Sequence, residues 1–160
     1  MTAEDYAEQV KNELGNVWLP HLYRDRVRSK RTRSYRFEGL TRKPRVEIQH
    51  TLLGVELKVG RRRLLCPDLA TARYLAVFAR AGCAEVAVPY DITRISQLAD
   101  ELESSWHRML LLAEHHAANR SETFRSRVGR VLSEMIRKEV DEIGAGSSVP
   151  EFKQSTRQRG

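Results

Sequence analysis

The stretch CPDLATARYLAVFARAGCAEVAVP, residues 66–89, constrains the fold more than any other. Pro67-Asp68 marks a helix start, because the Asp68 carboxylate can accept hydrogen bonds from the first free N–H groups. Leu69, Ala72, Leu75, Ala76 and Ala79 then recur at helical spacing, and Gly82 supplies the left-handed stop. AEVAVP, residues 84–89, has no polar alternation and reads as a short, buried strand.

Upstream, the period changes to two. Val46, Ile48 and His50 alternate with polar residues, and Val55, Leu57 and Val59 do so in a second register. Gly54 marks a turn or bulge between them, Gly60-Arg61-Arg62 a hairpin tip, and Leu64 and Leu65 the return strand. Strand, helix, strand at this spacing predicts a right-handed parallel β-α-β unit in a small mixed β-sheet, hence an α+β fold.

Both ends of the chain read as helical. Thr2 can cap a helix over residues 2–14 that carries Tyr6, Val10 and Leu14 on one face and stops at Gly15. NVWLPHLY, residues 16–23, is apolar, aromatic and broken by Pro20, and reads as an irregular connector. Asp91 or Thr93 opens a long helix to about Ala118, with Ile95, Leu98, Leu102, Trp106, Met109 and Ala113 as its stripe. Ser121 caps another, with Phe124, Val128, Val131, Met135 and Val140, up to Gly144. This C-terminal two-helix hairpin has broad apolar faces, which either cover the sheet or pair with a second copy as a homo-oligomer. The expected organisation is one α+β domain over residues 1–144 and a disordered basic tail over 145–160. No apolar run approaches the ~20 residues that span a bilayer, and the N-terminus is acidic. The expectation is a cytoplasmic protein with no membrane partner. Cys66 and Cys83 lie in apolar contexts outside any Cys-x-x-Cys spacing, which predicts buried free thiols.

The net charge of +7 is unevenly placed. RDRVRSKRTRSYRFEGLTRKPR, residues 24–45, holds ten bases: Arg24, Arg26, Arg28, Lys30, Arg31, Arg33, Arg36, Arg42, Lys43 and Arg45. Only Asp25 and Glu38 oppose them. A solvated face intersperses both signs, whereas segregation of one sign suits a polyanion. Of the 28 bases in the chain 22 are Arg, whose planar fork matches phosphate. The segment lacks a helical period through Lys30–Ser34, so the expectation is a flexible arm or loop projecting from the sheet edge. Tyr35 and Phe37 would stack on bases of a single strand, and Arg61, Arg62 and Arg63 would extend the surface. Lys153, Arg157 and Arg159 would add a contact from the tail. The reading is nucleic-acid binding through phosphates, without catalysis, without a cofactor and with modest sequence preference. A scaffold binding an acidic protein partner stays open beside it.

A second constellation lies in VEIQHTLLGVELKVG, residues 46–60, where Glu47 precedes Glu56-Leu57-Lys58. With the order helix, strands, helix, strand, this resembles the core of the PD-(D/E)xK nuclease superfamily, with Glu47 where the usual Asp stands. The resemblance implies Mg²⁺ held by Glu47 and Glu56, Lys58 steadying charge or the attacking water, and Glu4, Glu8 or Glu13 as a first-helix acid. On the long helix, His107, Glu114, His115 and His116 lack the four-residue ligand spacing of helical zinc sites and read as exposed histidines near a helix end. No nucleophile elbow, phosphate-cradling glycine loop or dinucleotide fingerprint is present.

Overall fold

In the computed structural model, residues 1–38 and 44–146 are described. Helix α1 (Ala3–Leu14) opens on a complete capping box. The Thr2 hydroxyl accepts the Asp5 N–H, and the Asp5 carboxylate accepts the Thr2 N–H, which holds that carboxyl below its ordinary range. Ala3, Ala7, Val10 and Leu14 are buried, and Gly15 ends the helix.

The connector is more regular than its composition suggests. A 3₁₀ turn (Gly15–Val17) leads into α2 (Leu19–Leu22), where Pro20 sits in the first turn and so removes no helical hydrogen bond. The helix widens into a π turn over Tyr23–Arg28. Trp18, Leu19, Tyr23 and Val27 are fully buried there. The segment expected to project as a loop is therefore folded inward over these residues, because Tyr23 and Val27 have core places to fill. It continues as strand β1 (Thr32–Arg36).

Three more strands, β2 (Val46–Thr51), β3 (Gly54–Val59) and β4 (Arg62–Cys66), form an antiparallel meander in that order. Gly60 takes φ +60° at the β3–β4 turn, a conformation glycine reaches without strain. Leu52 and Leu53 make the β2–β3 turn and are exposed, with Leu65 beside them. The inner face of this sheet carries Leu57, Val59 and Cys66 into the core.

Helix α3 (Leu69–Ala81) follows, with Asp68 accepting the Thr71 N–H and Gly82 at φ +83° as the stop. It is buried almost all round, packed between the meander and helix α4 (Ile95–His116). Arg73 of α3 forks onto Glu103 and Asp100 of α4, and those two acids raise its pKa further.

Strand β5 (Glu85–Pro89) pairs antiparallel with β1, from Thr32↔Pro89 to Arg36↔Glu85. The α+β class is as the sequence suggested, but the single mixed sheet and its parallel β-α-β unit are replaced by two antiparallel sheets. The cause is visible at Ala87. One edge of β5 is taken by β1. On the other, the Ala87 N–H donates to the Tyr23 hydroxyl (2.8 Å), and the Tyr74 hydroxyl donates to the Ala87 carbonyl (2.6 Å). No polar edge is left there for β4 to join.

α4 begins at Ile95, and Asp91 and Thr93 shape the turn before it rather than capping it. Helix α5 (Glu122–Ile143) is capped by Ser121, whose hydroxyl accepts the Phe124 N–H. The buried set of α5 is Val128, Leu132, Ile136 and Val140, a stripe rotated slightly from the expected one. The hairpin packs on α1, α2 and α3, leaving Leu110 and Leu111 exposed. Glu139 of α5 accepts from Lys11 Nζ and from Trp18 Nε1, both at 2.9 Å. Cys66 and Cys83 are free and buried, and burial pushes the Cys83 thiol up to about 12. Among the described residues no helix is long and apolar enough to cross a membrane. The tail beyond Gly146 lies outside the described residues.

Candidate nucleic-acid interface

The basic residues divide into those already engaged and those that are not. Arg24 pairs with Asp25 beside it (2.8 Å), Arg26 with Glu101 of α4 (3.3 Å), and Arg36 with Glu85 of β5 (3.5 Å). Arg62 faces Glu38 and Arg63 faces Glu56, each at 3.7 Å. Most of these pairs are exposed and add little to stability, but the Glu56 side chain is only 15% exposed. Arg28 differs: it is half-buried and donates to the Thr32 hydroxyl (3.0 Å) and the Gly146 carbonyl (2.5 Å). It ties the end of α5 to the start of β1.

Arg31, Arg33, Arg45 and Arg61 are exposed, and no acid pairs with them among the described residues. Lys30 is exposed beside them but is itself engaged within the fold. Arg42 and Lys43 lie outside the described residues. Among the described residues β1 pairs with no strand but β5, so Arg31 and Arg33 flank its outer edge, whose start at Thr32 is covered by Gly146.

At the two ends of β1, ~17 Å apart for five strand residues, the surface is concave. At the start is a cleft of about 1010 Å³. Arg26, Lys30 and Arg31 line one wall, and Arg94 with the first turn of α4 lines the other. Arg94 stands at the N-cap position and gives no side-chain cap, so the positive end of the helix faces this space. Tyr90 lies between the walls, 55% exposed. Its N–H donates to the Arg31 carbonyl (3.0 Å), which extends the β1–β5 ladder by one rung and sets Tyr90 opposite Arg31. The cleft also holds three acids: Glu101, whose Oε2 pairs with Arg26 while its Oε1 is buried without a partner, Asp25, paired with Arg24, and Asp91, whose carboxyl is held below the ordinary range by the hydroxyl and N–H of Thr93 and by nearby Arg94.

At the far end, a smaller groove of about 280 Å³ is lined by Tyr35, Arg36, Arg62, Arg63 and the acid Glu38, with Phe37, Leu57, Val59 and Leu64 as its apolar part. The fold thus brings Arg36 of the basic segment to the hairpin arginines, which lie far off in sequence. Arg45 sits beside the same hairpin tip, where its carbonyl accepts the Gly60 N–H (2.8 Å). Of the two aromatic residues expected to stack on bases, Phe37 is only 6% exposed and belongs to the core. Tyr35 is half-buried and packs edge-to-face on Phe37, with centroids 5.0 Å apart.

Glu47, Glu56 and Lys58 do share a face. Glu47 lies opposite Lys58 and Gln49 opposite Glu56, so all project from the outer side of the meander. Arg63 and Leu65 of β4 are on that side too. Glu56 Oε1 is buried without a hydrogen-bond partner, and Arg63 is its nearest cation. No group of three or more His, Cys, Asp or Glu side chains poised for a metal is found among the described residues. The strand after α3 lies in the other sheet, so the strand order that the nuclease resemblance requires is not formed. His116 pairs with Glu13 of α1, and His107 and His115 are exposed.

Tyr90 and Arg94 were not legible as site residues in the sequence. Both fall in the short link PYDITR between β5 and α4, which reads only as a turn. Their role depends on the pairing of β1 with β5. No family model, curated protein or solved structure matches the chain.

Proposed function

We propose that the protein binds nucleic acid through phosphate contacts along the β1 edge, without chemistry on the strand. The observation that carries this reading is the pair of exposed, acid-free arginines Arg31 and Arg33 on an edge strand whose two ends open into basic concavities. Guanidinium groups left unneutralised by their own fold are available to phosphate oxygens. Arg36 and Arg62 reach a ligand by exchanging exposed carboxylate partners, which costs little, whereas Arg63 stays with the mostly buried Glu56. Arg28 is excluded from the interface, because it holds the backbone together, and so is Phe37.

The test is binding of labelled DNA and RNA over a series of salt concentrations. Each phosphate neutralised adds about −0.7 to −0.9 to the log–log salt slope. A slope worth several phosphates, reduced in Arg31→Ala and Arg33→Ala, supports the reading. No binding at low salt removes it and turns attention to an acidic protein partner.

The shared face of Glu47, Glu56 and Lys58 supports a metal-dependent nuclease as the second reading. The same titration with Mg²⁺ present separates the two, since only the second predicts cleaved strands.

A further inference from the structure

We propose that the ligand of the larger cleft is a single strand of nucleic acid, with one base stacked on Tyr90 and the adjoining phosphate held between Arg31 and Arg94. The inference rests on the nucleic-acid reading and narrows it to one class of strand.

Three features converge on this. The first is the Tyr90 ring. An aromatic side chain 55% exposed in a concave site is unusual, because burial of its apolar faces is what normally stabilises such a residue. An unstacked base has a free face to cover it, whereas a base inside a duplex has none. The second is the pairing of charge with ring. Arg31 and Tyr90 are directly opposite across two strands, so their side chains leave the same face next to each other. A guanidinium beside an open ring matches the two recognisable parts of one nucleotide, phosphate and base. The third is that the opposing wall adds a second cation. Arg94 forms no ion pair among the described residues, with Asp91 near it bonded to Thr93 and the other two acids of the cleft paired with Arg24 and Arg26.

The continuation of the strand is also accounted for. Arg33 and then Tyr35 follow Arg31 on the same face of β1. They lead from the cleft to the groove of Arg36, Arg62 and Arg63. A flexible single strand can follow an edge of this kind and bend into the cleft. Exposed basic side chains also stand on α5, at Arg127, Arg130 and Lys138, and a duplex held by that helix is the alternative that the comparison of strands below separates.

The experiment compares labelled single-stranded DNA and RNA oligonucleotides with the matching duplexes, by fluorescence anisotropy, for the wild type, Tyr90→Ala, Tyr90→Phe, Arg94→Ala and Arg33→Ala. The expected result is tighter binding to single strands. Tyr90→Ala should weaken it about tenfold, with Tyr90→Phe restoring most of the loss because the ring is kept. Arg94→Ala should flatten the single-strand salt slope by about 0.7. Tyr90 and Arg94 lie in an exposed link, and unchanged circular dichroism in each variant confirms that folding is intact. Equal or tighter binding of duplex overturns the inference and leaves the broader reading standing. An unchanged single-strand affinity in Tyr90→Ala does the same. Absence of binding to every probe at low salt overturns both.

Discussion

The Tyr23 hydroxyl accepts the Ala87 N–H at 2.8 Å and donates to the Gly144 carbonyl at 2.7 Å. One buried phenol thereby joins the connector that leads into the basic segment, the strand β5 and the residue just past α5. Removing it in Tyr23→Phe orphans a buried backbone N–H and a carbonyl together. The expected loss is about 1–3 kcal/mol of folding stability, read as a lower urea midpoint with an unchanged slope. Tyr74→Phe orphans only the Ala87 carbonyl and should cost less. Equal midpoints for Tyr23→Phe and the wild type would remove this account of how β5 is closed.

Burial also sets the behaviour of that phenol in alkali. It pushes the Tyr23 hydroxyl from its ordinary 10.0 up to about 12. A group whose folded pKa is raised keeps its full stabilising contribution below the unfolded pKa and loses it as pH climbs through the folded one. Stability should therefore fall between pH 10 and 12 through Tyr23, by about 3 kcal/mol. Cys83 shifts the same way, from 9.0 up to about 12, so the decline starts near pH 9. Urea midpoints measured from pH 8 upward check this. The fall should be shallower in Tyr23→Phe.

Arginines of one segment should separate cleanly by role. Arg31→Ala and Arg33→Ala remove exposed side chains with no acid partner among the described residues and should change stability by less than about 0.5 kcal/mol, while each flattens the salt slope of binding by about one phosphate. Arg28→Ala should do the opposite. It breaks the bonds to Thr32 and Gly146 and lowers the melting temperature, with little effect on the slope. Thermal melts and binding titrations on the same three variants test the division.

With Mg²⁺ present, labelled strands should stay intact over the time of a binding measurement. Glu47 and Glu56 lie on neighbouring strands of an antiparallel meander without a third ligand gathered to them. A cleavage ladder in the wild type that vanishes in Glu56→Gln would establish the nuclease reading in place of the binding one.

Local signals in the sequence were read correctly where the cause is local. Thr2, Asp68, Ser121, Gly15 and Gly82 all act as caps or stops because capping depends on a few adjacent residues. Strand pairing does not. Lys30–Ser34 reads as a charged loop and only the end, SYRFEGL, alternates as a strand entry does, yet all of 32–36 becomes β1 because β5 needs a partner on the edge that Tyr23 and Tyr74 leave open. That pairing joins residues 49 to 57 positions apart, and no local pattern names the partner. Phe37 and Tyr35 look alike as aromatic residues among arginines, and only the packing separates the core one from the half-exposed one. The stripes of α4 and α5 were placed within one helical position, since a 3.6 period over 22 residues leaves room for a small rotation.

Glu139 carries a consequence for synthesis. It completes the polar contacts of Lys11 and Trp18, which precede it by 128 and 121 residues. At about 5–20 residues per second, those two side chains leave the ribosome many seconds before their partner exists. The apolar stripe of α1 waits equally long for α5. α4 can cover part of α1 first, but the first helix is closed on its remaining side only when the last one has left the ribosome, so the two ends of the chain finish folding together.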